Sequence, residues 1–171
     1  MKRTHNCGEL TKTDANKKVI LCGWSSTRRD HGGVIFIDLR DRYGLTQVVF
    51  DPSFNMESHK IAEKLGREDV ISVIGTVKPR KEGMENLNLK TGTIEVFVEK
   101  IEILNKSLTP PIEVDDRILT HEDTRLKYRY LDLRRPSMQK NIVTRHKVVK
   151  AVRDYLDRLD FLDIETPILA K

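Results

Sequence analysis

The sequence predicts a mainly β fold: a small five-stranded barrel, then a linker, then the helical and strand-like start of a second, α+β domain. Three observations lead there. Val34 to Arg40 sets Ile35, Ile37 and Leu39 against Val34, Phe36, Asp38 and Arg40, and Thr93 to Leu104 sets Ile94, Val96 and Val98 against Thr93, Glu95 and Phe97. That period of two belongs to half-buried strands. Between these runs, Ser53 to Leu65 switches to helical spacing, and beyond Leu104 the stretch Asn105 to Arg117 loses periodicity around Pro110-Pro111.

Taken in order, Val19 to Trp24 opens a first strand that runs on towards Arg28 and Arg29 until Gly32-Gly33 breaks it. Val34 to Leu39 is the second strand, Asp41-Arg42-Tyr43-Gly44 a turn, and Leu45 to Phe50 the third strand, closed by Asp51-Pro52. In the helix that follows, Ser53 is the expected N-cap, Met56, Ile61, Ala62 and Leu65 line one side, and Gly66 is the stop. Val70 to Val77 and Thr93 to Leu104 supply the last two strands, with Pro79 to Gly92 an exposed hairpin loop between them. Three strands, a helix and two strands is the order of an OB-fold barrel, so residues 1–104 form the first expected domain.

Residues 105–119 read as a linker or hinge, because proline fixes backbone torsions and blocks ladder hydrogen bonds. Residues 120–171 form the last segment. Thr120, with Asp123 three residues on, resembles an N-cap for a helix running through Arg125 to Leu133. Pro136 suits the first turn of a longer helix striped by Ile142, Val149, Val152, Leu156 and Leu159. Phe161 to Leu169 alternates like a strand. Two helices and one strand cannot close a core alone, so the expectation is a chain cut short inside a larger domain.

Composition excludes several classes. Hydrophobic residues make up 38% and charged residues 33% of 171, which fits a globular protein rather than a disordered one. The longest apolar runs are a few residues, far below the roughly 20 that a membrane-spanning helix needs. The opening Met1 to Asn6 lacks the apolar core of a signal peptide, so a cytoplasmic location is expected. Cys7 and Cys22 are far apart and in no metal-binding spacing, and free thiols are the expectation. Thirty-one Lys and Arg against 26 Asp and Glu leave a net charge of +5, compatible with a nucleic-acid partner without requiring one. Nine basic residues and one acid, Asp132, lie between Arg125 and Lys150, a run that reads either as a solvated helical surface or as a phosphate-facing one.

An OB barrel that binds single strands stacks bases on aromatic rings and meets phosphates and base edges with basic or amide side chains. Phe36 shares the outward side of its strand with Asp38 and Arg40. A phenylalanine turned from the core forgoes about 1.5–3 kcal/mol of burial, which either a stacked base or an overlying loop would compensate. Gln47 can donate and accept, as reading a base edge requires, and Glu95 can accept from a guanine. Arg28 and Arg29, at the barrel rim, suit phosphates or bases, although rim arginines are commonly just solvated.

The strings RRDHGGVIFIDLRDRYGLTQVVFDP (Arg28 to Pro52), CGW at Cys22, RLKYRYLDLRRP (Arg125 to Pro136) and FLDIETPIL (Phe161 to Leu169) closely resemble bacterial-type aspartyl-tRNA synthetases. The resemblance implies an anticodon-binding OB domain followed by the beginning of a class II catalytic domain. It implies that the ring of Phe36 stacks on the central anticodon base, that Gln47 reads that base, and that Arg29 and Glu95 lie around the first anticodon position. The last string resembles motif 1, a helix and strand ending in Pro167 that builds a homodimer interface. The implied full enzyme activates aspartate with ATP and magnesium and transfers it to tRNA-Asp. Motifs 2 and 3 are not in these residues, so the fragment itself is expected to bind no cofactor and to catalyse nothing. A histidine at His31 with a glycine at Gly83 accompanies, in that family, enzymes that also charge tRNA-Asn. Both residues also read as an ordinary rim histidine and turn glycine. An asparaginyl or lysyl sibling, a free-standing OB module and a dimerising scaffold are the alternatives.

Overall fold

The computed structural model describes residues 2–168 and divides into two compact units, Met1–Pro110 and Pro111–Lys171. In the first unit five strands, β1 (Lys18–His31), β2 (Val34–Arg40), β3 (Leu45–Phe50), β4 (Val70–Pro79) and β5 (Ile94–Asn105), close in the order β1-β2-β3-β5-β4. One helix, α1 (Met56–Ala62), connects β3 to β4. This is the OB-fold arrangement that strand count and helix position predict. Every pairing is antiparallel except β3 with β5, where Val48 meets Val96 and Val49 meets Phe97 in parallel.

β1 closes the barrel because it serves two neighbours. Lys18 to Trp24 pairs with β4, and Trp24 to His31 pairs with β2. A bulge between Ser25 and Thr27 separates the halves and bends the strand. Gly32 and Gly33, both at positive φ, make the two-residue hairpin to β2 that side chains would strain. Ile35, Ile37 and Leu39 are fully buried, as are Val19, Leu21, Val48, Phe50, Ile71, Val73, Ile94 and Val96, and together they fill the barrel.

α1 differs from its expected form in its cap, in its outward Met56 and in its end, which is Ala62 rather than Leu65 before Gly66. Asn55, not Ser53, caps it, its side chain accepting from the Ser58 N–H at 2.8 Å, while Ser53 is tied to Asp51 in the preceding turn. Met56 faces outward, and the helix buries Ser58, His59 and Ala62 instead. Cys7 and Cys22 are free thiols, and burial pushes the Cys7 thiol well above the ordinary range.

In the second unit the expected single helix through Leu133 is two short ones, α2 (Glu122–Lys127) and α3 (Arg129–Asp132), broken at Tyr128 (φ −108°, ψ 44°). The residue before α2 is His121 rather than Thr120, and it makes no side-chain cap. Asp132 explains part of the basic run. Its carboxylate is fully buried and is held by Arg125 Nε at 2.9 Å and Arg129 Nη1 at 2.5 Å, with Arg135 Nη1 at 3.8 Å. Those three arginines serve the fold, and Lys150 is bound to Asp154 one turn on.

α4 (Pro136–Asp157) begins at the expected proline, and Leu159 falls just beyond its end. It buries none of its side chains, and Ile142, Val149, Val152 and Leu156 are all exposed. Phe161 to Pro167 forms no strand, because among the described residues no other strand pairs with it; Leu169, the end of the expected strand, lies outside them.

Gly75 is the tightest test of the barrel. It lies where the β4–β5 register shifts, and a Cβ there would fall 2.3 Å from the Phe97 carbonyl oxygen and 2.8 Å from Val96 Cγ1. Gly75→Ala is predicted to lower the unfolding free energy by about 1–3 kcal/mol in urea denaturation, and an unchanged midpoint would contradict this packing.

Candidate nucleic-acid interface

The alternation that buries Ile35, Ile37 and Leu39 turns Phe36 and Asp38 to the outside of β2. Register then sets their neighbours. Phe36 lies opposite Arg29 on β1 and Val49 on β3, while Asp38 lies opposite Gln47. Glu95 and Phe97 leave β5 on its half-buried outer side, between Ile94, Val96 and Val98 of the core. Phe36, Arg29, Val49, Gln47, Glu95 and Phe97 line a groove of about 390 Å³, within the size range of ligand pockets. His31, Val34, Asp51, Arg80, Lys81 and Met84 also line it.

Phe36 is half-buried, not sealed within the barrel, and its ring meets the His31 ring edge-on at 6.3 Å. Beside it runs a chain of hydrogen bonds. Arg29 clasps Asp38 with both guanidinium arms (Nη1 to Oδ2 2.8 Å, Nη2 to Oδ1 2.7 Å), and Nη2 also donates to Gln47 Oε1 at 3.3 Å. Gln47 Nε2 in turn donates to Glu95 Oε2 at 3.1 Å. Two carboxylates therefore bracket one arginine and one amide. Burial pushes the Glu95 carboxyl above its ordinary range, against the opposing pull of Arg80, the Gln47 hydrogen bond, Lys78 and Lys81. Arg80 Nε donates to the Ile94 carbonyl at 3.1 Å, while its buried Nη2 has no acceptor among the described residues.

The structure thus brings together Phe36, Gln47, Arg29, Glu95 and His31, and leaves three expected site residues elsewhere. Arg28 lies opposite Ile37 rather than Phe36 and borders a separate recess with Ser25, Thr27 and Arg67. Gly83 is in the loop that carries Lys81 and Met84, at φ +80° with open space where a Cβ would go, but does not line the groove. Pro167 is in the second unit, outside any helix or strand.

Arg80, Lys81, Met84 and Phe97 line the groove without having been singled out, and Asp38 lies buried beside it, bound to Arg29. Asp38 and Phe97 share strand faces with Phe36 and Glu95, so alternation contained that signal. The loop residues have no periodicity to reveal them. Phe97 is covered by the Lys78 ammonium, 3.9 Å from its ring centre, with Phe54 packed edge-on. Among the described residues no three His, Cys, Asp or Glu side chains are grouped to hold a metal ion.

Residues 19–104 match the family model described as an OB-fold nucleic acid binding domain. The chain belongs to this OB-fold nucleic acid binding family. Beyond the OB domain, residues 121–171 match the model for tRNA synthetases class II (D, K and N). A protein of Desulfatibacillum aliphaticivorans named aspartate–tRNA(Asp/Asn) ligase is 57% identical over 171 residues, covering 100% of this chain and 29% of that protein. One of the same name from Oleidesulfovibrio alaskensis is 54% identical over 169 residues, 99% of this chain and 28% of that protein. The OB-fold chain therefore spans less than a third of the length of these relatives, whose names bear out the resemblance to aspartyl-tRNA synthetases. Among solved structures, asparaginyl-tRNA synthetase from Pyrococcus horikoshii superposes with a TM-score of 0.84 at 29% identity, covering 97% of this chain and 38% of that one. Aspartyl-tRNA synthetase from Entamoeba histolytica gives a TM-score of 0.87 at 21% identity, over 98% of this chain and 40% of that one, a likeness of fold.

The raised Glu95 pKa makes a stability prediction. A carboxyl whose folded-state pKa exceeds its unfolded value holds its proton more tightly when folded, so stability falls as pH rises through that interval. Glu95→Gln is predicted to raise the thermal midpoint at neutral pH, the gain shrinking as pH falls through the interval from the raised carboxyl down to the ordinary glutamate range. A difference that is constant across a pH series of melts would contradict it.

Proposed function

We propose that this groove reads an unpaired base of a tRNA anticodon loop, and that the chain is the anticodon-binding front of an aspartate–tRNA ligase. The observation that carries the reading is the half-buried Phe36 ring on the outside of a strand whose alternate residues are fully buried, set directly beside hydrogen-bonding groups. Stacking on such a ring is worth about 1–3 kcal/mol per base and tolerates any base, so a polar neighbour must choose among them. Gln47 fills that role for the central base.

Arg29 and Glu95 serve the neighbouring first anticodon position, and Arg80, with a buried donor lacking an acceptor, offers a further hydrogen bond there. Arg28, across the strand, meets a phosphate of the same loop. His31 at the rim and the side-chain-free Gly83 leave the third anticodon base weakly discriminated, which suits acceptance of both tRNA-Asp and tRNA-Asn; relatives named for both tRNAs support this.

In the complete protein we place activation of aspartate by ATP and transfer to the tRNA terminus. The residues in hand do not fit a magnesium site, since none of the described acids and histidines cluster suitably, so no step of that chemistry is assigned to them. The exposed apolar side chains of α4, with Pro167 beyond it, suit a homodimer interface. A cytoplasmic site of action fits both a tRNA substrate and the lack of any described helix long and apolar enough to cross a membrane.

Titrating the chain with an anticodon stem-loop tests the reading. Phe36→Ala should weaken binding by about 1–3 kcal/mol with the circular dichroism spectrum unchanged, and Gln47→Ala should weaken it as well. Affinity unaffected by either substitution would remove the groove from the binding surface.

A further inference from the structure

A glutamine amide is nearly symmetric in shape but opposite in polarity at its two ends, and its terminal torsion is soft. Uracil and cytosine differ in the matching way. At the N3 and C4 positions uracil offers a donor and an acceptor, and cytosine offers an acceptor and a donor. A glutamine free to turn over would pair with either base. Discrimination therefore requires something that holds the amide one way round.

We propose that Asp38, acting through Arg29, is the residue that fixes the orientation of the Gln47 amide, and that this fixed orientation admits uracil and rejects cytosine at the base stacked on Phe36. The inference rests on the anticodon reading above. By the genetic code, tRNA-Asp and tRNA-Asn share uracil as their central anticodon base.

The polarity is set at both ends of the amide. A guanidinium has only donors, so Arg29 Nη2 at 3.3 Å can meet only the amide oxygen; a carboxylate accepts, so Glu95 Oε2 at 3.1 Å meets the amide nitrogen. Turning the amide over would set its NH2 against a guanidinium and its oxygen against a carboxylate oxygen, two repulsive contacts in place of two hydrogen bonds. Each amide atom retains one free site, a lone pair on Oε1 and a hydrogen on Nε2, and these face the base.

Arg29 alone would be an unreliable latch, because its side chain is 40% exposed. Asp38 removes that freedom. Its carboxylate, 11% exposed, takes both guanidinium arms at 2.8 and 2.7 Å in the bidentate geometry that fixes the plane of an arginine. Asp38 is also directly opposite Gln47 in the β2–β3 register, so the sheet itself holds the spacing. Asp38 touches no base in this arrangement and is a positioning residue.

The test measures affinity by fluorescence anisotropy for two RNA hairpins that differ only in the central loop base, uracil or cytosine. The unaltered chain should favour uracil by about tenfold or more, and Asp38→Ala should bring the two within about twofold of each other, chiefly by improving binding of the cytosine hairpin relative to the uracil one. Asp38→Asn, nearly the same shape, is the companion variant in case the alanine variant misfolds, and should shift the ratio the same way. Phe36→Ala separates the failures. If it weakens both hairpins alike while the Asp38 variants, still folded, keep the original uracil preference, the orientation proposal is overturned and the groove reading stands. If Phe36→Ala changes binding to neither hairpin, the groove reading itself falls.

Discussion

Burial of Ile35, Ile37 and Leu39 on the inner face of β2 leaves the residues between them only the outer face. One interaction, the packing of that apolar row into the barrel, thereby fixes Phe36 in the groove and Asp38 beside it. Slipping the register by one residue would put a charged carboxylate and a large ring in the core and three aliphatic side chains in water. At about 25 cal/mol per Å² of apolar surface, that exchange is prohibitive for a domain this small. The position of the ring is thus a consequence of the core, and the partners that register places around it inherit the same rigidity.

The polar row beside the ring resolves a second problem. A glutamine, an arginine and two acids on one small stretch of sheet would be costly if any were left unpaired in a half-buried groove. Linked as Asp38, Arg29, Gln47 and Glu95, they satisfy one another and retain unused hydrogen-bonding capacity towards the opening. Glu95 is the strained member, its carboxyl pushed up by burial despite three cationic neighbours. A groove built this way is preorganised, so a base entering it exchanges hydrogen bonds with water for hydrogen bonds with groups already aimed.

Much of the barrel was legible because period-two alternation reports burial directly, and Leu45 to Phe50 was bounded as the third strand by its flanking Gly and Asp-Pro. What alternation could not supply was parity across a bulge. Counting from the buried Val19 and Leu21, Arg29 would face inward; the extra residue between Ser25 and Thr27 turns it out beside Phe36 and sends Arg28 to the other side. Local capping was ambiguous for a different reason. Ser53 and Asn55 both carry suitable oxygens, and the Asp51 turn had first claim on Ser53. The basic run stayed open between two readings because composition does not show that its one acid, Asp132, is the hub of three of its arginines. The expected final strand had no ladder partner among the described residues, and a strand exists only through its neighbours.

The central claim is contact between one aromatic ring and one unpaired base. The most direct measurement is an NMR spectrum of the chain bound to an anticodon stem-loop, with the Phe36 ring and the loop pyrimidines selectively labelled. Intermolecular nuclear Overhauser effects between that ring and the central loop base, with an upfield shift of the base protons, are the predicted result. Protons of that base showing contacts to another surface, and none to Phe36, would contradict the account.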